Sequence, residues 1–125
     1  NRAALLLAVS EKRAGLKLGV FDSYINVIGG LNLDEPAADL PVLLAVASSY
    51  RDQIIPNDTV AIGEVGLTGE IRSVTQMNQR LSEISRLGFK KCIIPYNNAE
   101  KIEIPEGLTV YKVKNLREAI EIALI

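Results

Sequence analysis

Leu33-Asp34-Glu35-Pro36-Ala37-Ala38-Asp39-Leu40 joins two unlike segments. Before it lies Tyr24-Ile25-Asn26-Val27-Ile28, rich in strand formers and stopped by Gly29-Gly30. After it, Leu40, Leu43, Leu44, Val46 and Ala47 recur at helical spacing up to Arg51. The stretch therefore reads as a strand-to-helix loop, with Asp39 as predicted N-cap and Pro41 in the first turn. Such loops often carry chemistry, because the first amides of a helix are unpaired and can hold an anion or oxyanion. A catalytic loop would need Ser, Cys or Thr as its nucleophile. This one offers Ala37 and Ala38.

Upstream, Ala3, Leu6, Leu7, Val9 and Ala14 predict a helix ending near Gly15, with Lys12 and Arg13 in its last turn. Leu16 to Val20 alternates like a strand. Downstream, Thr59 to Gly63 predicts a buried strand, and Glu64 to Val74 a strand pair bent at its glycines. A second helix is predicted from Thr75 to Leu87, with Met77, Leu81, Ile84 and Leu87 inward and Gly88 as its stop. Cys92-Ile93-Ile94 predicts a short buried strand closed by Pro95, and Asn97-Asn98 a helical turn through Lys101. Thr109 to Val113 is a last strand, and Asn115 caps a helix from Leu116 to Ala123. The sum is a compact α/β domain of the α+β type covering residues 1–125.

With 48% hydrophobic and 23% charged residues, the chain has ordinary soluble composition. Its opening, Asn1 to Val9, mimics a signal peptide but runs on into Ser10-Glu11-Lys12-Arg13 without a cleavage site, so it reads as a core helix. The start without Met predicts a piece of a longer protein. There is no His, and the single Cys92 sits in an apolar run, so zinc ligation and His-based catalysis are nearly excluded and the thiol is predicted to be structural. The net charge of −1 announces no strongly basic nucleic-acid surface. Residues 19–89 are acidic on balance and contain no lysine.

Gly29-Gly30 and Gly63, Gly66 and Gly69 match neither phosphate-cradle nor dinucleotide spacing, and read as turn or bulge glycines. Asp34, Glu35 and Asp39 could attract a hard cation but lack the alternating ligand spacing of a calcium loop. Lys12, Arg13, Lys17, Arg80 and Arg86 are candidate phosphate contacts, each also explicable as solvated surface charge.

Val65-Gly66-Leu67-Thr68-Gly69-Glu70-Ile71-Arg72, then a helix and Leu87-Gly88-Phe89-Lys90-Lys91-Cys92-Ile93-Ile94-Pro95, resemble the Lon protease proteolytic domain. Gly29-Gly30 and Asp34 to Asp39 do so too. The resemblance implies the Lon proteolytic-domain fold, which the second domain of ribosomal protein S5 shares. It also implies a serine nucleophile in the loop and a lysine base early in the second long helix. Carried over residue by residue, the serine position falls on Ala37, and the lysine position, counted back from Gly88 without gaps, on Asn78. Alanine has no nucleophilic atom, an amide is no base, and nearby arginines stay protonated.

Leu33 to Leu40, Ala61-Ile62-Gly63-Glu64-Val65-Gly66-Leu67-Thr68-Gly69-Glu70 and Glu11-Lys12-Arg13-Ala14-Gly15-Leu16 resemble, more narrowly, the Lon-like C-terminal domain of the RadA (Sms) family. That resemblance implies a cytoplasmic DNA repair and recombination ATPase forming hexameric rings on DNA and promoting branch migration. ATP, magnesium and zinc would belong to a preceding zinc segment and RecA-like ATPase, and these 125 residues would hold no cofactor. The partners implied are further copies of the chain, single-stranded or branched DNA and a recombinase, with no membrane. Two rival readings are a Ser–Lys-type peptidase using displaced residues, and a peptide- or protein-binding module using the former active-site groove.

Overall fold

The computed structural model describes residues 36–98 and 102–125. The predicted first helix, the two early strands, Gly29-Gly30, Asp34, Glu35 and Lys101 lie outside these residues, as do Lys12, Arg13 and Lys17.

A 3-10 turn at Pro36–Ala38 runs directly into helix α1, Asp39–Arg51. Asp39 is not the N-cap that the spacing predicts. Ala38 already has helical dihedrals (φ −80°, ψ −10°), so no extended residue precedes the helix to place a capping side chain. The Asp39 carboxylate is instead 1% exposed and accepts the Val65 N–H at 3.0 Å, reaching 26 residues along the chain. Seven of the thirteen residues of α1 are buried, which marks it as a central helix rather than a surface one.

Strands β1 (Thr59–Ala61), β4 (Lys91–Pro95) and β5 (Thr109–Val113) form a parallel sheet in the order β1-β4-β5. In register, Val60 and Val110 flank Cys92, and Ala61 and Tyr111 flank Ile93. Between β1 and β4 the chain inserts an antiparallel pair, β2 (Glu64–Val65) and β3 (Ile71–Arg72), and helix α2 (Met77–Arg86). The last helix, α3, spans Leu116–Ala123. Its N-cap is the predicted Asn115, whose side chain accepts the Glu118 N–H at 2.9 Å, while the Glu118 carboxylate accepts the Lys114 N–H at 2.6 Å.

Strand alternation divides the core in two. Ile93, Val113 and Ala61 pack on one side with Leu40, Leu43 and Leu44 of α1 and Leu116 and Ile120 of α3. Cys92 and Ile94 pack on the other with Met77, Leu81 and Ile84 of α2. The apolar run in β4 is continuous because this middle strand has helices on both faces, and its Cys92, Ile93 and Ile94 are fully buried. Burying each such side chain contributes roughly 1.5–3 kcal/mol.

Two expectations for α2 change. The helix starts at Met77 rather than Thr75, because Gln76 sits in the left-handed region (φ 59°). Leu87 is 60% exposed, not inward. The chain leaves the helix there through Gly88 (φ 95°), and the half-buried Phe89 packs against the α2 face of the core instead.

Candidate functional site

The turn at Ala37 is held from below by Gly63. The Gly63 N–H donates to the Ala37 carbonyl at 3.1 Å, and the Leu40 N–H donates back to the Gly63 carbonyl at 3.0 Å. A Cβ at Gly63 would lie 2.9 Å from Ile71 Cγ2, so only glycine admits this approach without a shift. The clamp fixes the start of α1 against the strand end that precedes the β2–β3 pair.

Ala37 is 6% exposed and belongs to the α2-side core with Ile62, Met77 and Leu81. It also edges a groove of about 450 Å³ walled by Pro41, Leu44, Val60, Phe89 and Arg80. The walls are mostly apolar. Thr59 supplies a hydroxyl, which donates to Asp58 Oδ1 at 3.2 Å. Among the described lining residues there is no serine, cysteine or lysine. The groove's described walls therefore offer one hydroxyl, hydrogen-bonded to a carboxylate, and one guanidinium, which stays protonated.

Arg80 lines the groove and is half-buried, with its Nε donating to the Thr75 carbonyl at 2.8 Å. Asn78 lies two residues earlier on α2, about 200° round the helix, and is not among the groove's walls. Its Oδ1 accepts the Glu103 N–H at 2.8 Å. Arg86 is exposed and pairs with Glu83 one turn back; the hydrogen bond raises the Arg86 pKa and lowers that of Glu83. The structure thus brings Ala37 and Arg80 together at one groove, and leaves Asn78 and Arg86 elsewhere on α2.

Burial pushes the Cys92 thiol up to about 12, which keeps it protonated and unreactive in the folded chain. Among the described residues no group of three or more His, Cys, Asp or Glu could hold a metal ion. Of the acidic trio, Asp39 is committed to Val65, and Asp34 and Glu35 lie outside the described residues. No described helix is long and apolar enough to cross a membrane.

Residues 11–125 match the Lon protease (S16) C-terminal proteolytic domain, and the chain belongs to that family. It is 47% identical over 124 residues to the DNA repair protein RadA of Halalkalibacterium halodurans, covering 99% of this chain and 27% of that protein. The RadA of Bacillus subtilis is 48% identical over 124 residues, with 99% of this chain and 27% of the relative covered. For Escherichia coli RadA the identity is 44% over 122 residues, 98% of this chain and 26% of the relative. The chain therefore spans about a quarter of the length of the curated relatives it matches.

Proposed function

We propose that this chain is the non-proteolytic Lon-like domain of a RadA-type DNA repair ATPase. In this reading it supports assembly of a hexameric ring in the cytoplasm and contacts DNA during branch migration. The observation that carries the reading is the similarity to RadA proteins at 44–48% identity over almost the whole chain. Ala37 at the position of the Lon serine supports the loss of proteolysis. It is a packed core residue, and the groove it edges is lined by an arginine, Arg80, and by no lysine among the described residues. The assignment of the lysine position to Asn78 is part of the same proposal. ATP hydrolysis, magnesium and zinc binding, and a recombinase partner would belong to other parts of such a protein. DNA contact would run through basic side chains to phosphates, without reading sequence.

The test is direct. The chain, and its Ala37→Ser/Asn78→Lys variant, are incubated with unfolded casein and a fluorogenic peptide. No turnover is expected from the parent chain; turnover lost on Thr59→Ala would overturn the non-proteolytic reading. Sedimentation of the full-length parent protein with and without ATP reads the ring, and a monomer under both conditions would overturn it.

A further inference from the structure

Away from the Ala37 groove, β3, the 3-10 turn Tyr96–Asn98 and the segment leading into α3 enclose a cleft of about 540 Å³. They are brought together by backbone bonds: the Ile71 N–H donates to the Lys114 carbonyl at 2.9 Å, and the Leu116 N–H to the Gly69 carbonyl at 2.8 Å. The cleft is lined by Glu70, Arg72, Ser73, Tyr96, Asn97 and Lys114. Tyr96 is 50% exposed, and the Lys114 ammonium stands 4.6 Å from the centre of its ring.

We propose that this cleft binds single-stranded nucleic acid, with backbone phosphate held by Arg72 and Lys114 and a base laid against Tyr96. The proposal rests on the DNA-contact reading above and gives it residues other than Arg80 and Arg86. Three observations lead to it. First, the arginine is aimed before any ligand arrives. Glu70 Oε2 accepts from Arg72 Nε at 3.2 Å and Nη2 at 2.9 Å, while Glu70 Oε1 is braced by the Thr68 N–H at 3.1 Å and by the Thr68 hydroxyl. That leaves the Nη1 edge of Arg72 as a donor among the described residues. Second, among the described lining residues two cations stand against one carboxylate, and Ser73 and Asn97 add neutral donors of the kind that position phosphates. Third, an exposed aromatic ring beside those donors suits a strand whose bases are free to stack. A duplex keeps its base faces inside and would use the cations alone.

The experiment titrates the chain into a labelled oligothymidylate, followed by anisotropy at several salt concentrations, with folding of each variant checked by circular dichroism. All the altered side chains are exposed, so the fold is expected to persist. Arg72→Gln and Lys114→Gln should each weaken binding and reduce the salt slope by about 0.7 per lost phosphate contact. Tyr96→Leu should weaken binding roughly tenfold with the slope unchanged, because stacking releases no counterion. Lys90→Gln, the same charge change just before the opposite end of β4, should leave the affinity as it is. Wild-type binding that all three cleft variants retain overturns the site while leaving the DNA-contact reading standing. A wild-type chain that binds no oligonucleotide overturns both. Equal affinity for duplex, unaffected by Tyr96→Leu, overturns the single-strand assignment.

Discussion

Cys92 shows how one residue acquires a property from its neighbours alone. It has no internal partner for a disulfide, and β4 places it at the centre of the sheet under α2. Burial raises its thiol from 9.0 to about 12, so the unfolded chain releases the proton first as pH rises. The folded state then binds more protons than the unfolded one, and stability falls between pH 9 and 12 while staying level below that window. Urea midpoints at about pH 8 and about pH 10 should separate for the wild type and coincide for Cys92→Ala, apart from a uniform loss from the smaller side chain. Glu70 has the opposite sign. Its carboxyl is held at about 2 by Thr68 and Arg72, so its contribution is present above 4.5 and lost as pH falls toward 2. Its exposure to solvent keeps that contribution small.

At the scale of elements, the two helix starts contrast. Asn115 is extended and caps α3 with its side chain, in agreement with its local pattern, and Asn115→Ala should cost about 1 kcal/mol. Gln76 before α2 is left-handed (φ 59°) and caps nothing with its side chain. A residue with a Cβ pays roughly 1 kcal/mol there, so Gln76→Gly should be neutral to stabilising despite the greater freedom of the unfolded chain. Thermal denaturation of the two variants checks both signs, and a clear loss on Gln76→Gly would show that its side chain contributes something beyond the strained backbone. The strain lies at the start of the helix whose Arg80 reaches the groove, a place where unfavourable dihedrals commonly gather.

Over the whole molecule, stability rests on a parallel sheet covered on both faces, and β4 is its middle strand. Ile93 faces α1 and α3 and is fully buried, so Ile93→Ala should cost about 2–5 kcal/mol, read as a lower urea midpoint at unchanged slope. The same layering separates two surfaces. The Ala37 groove opens between α1, β1 and α2, and the Arg72–Lys114 cleft gathers β3, the turn after β4 and the approach to α3. The nucleic-acid contact proposed above uses the second of these surfaces and leaves the first aside.

The order of the described elements was legible from local signals: the apolar period of α1, the unbroken run of β4, the glycine stop of α2 and the Asn115 cap. So was the poverty of the Ala37 loop, because the lack of a nucleophile is a property of residue types. What local signals could not reach were outcomes decided at a distance. Asp39 looked like a cap and became a buried acceptor for Val65, since the turn before it arrived already helical. Leu87 fitted the helical stripe and turned outward, because the chain had to leave α2 through Gly88 to enter β4. Arg80 proved to be a groove wall, while Arg72, Tyr96 and Lys114, far apart in the chain, met in one cleft. The sequence by itself determined the order of the described elements and the absence of Ser, Cys and Thr from the Ala37 loop; only the tertiary structure decided which side chains stand together, because pairing across strands is set by register and packing rather than by neighbours in the chain.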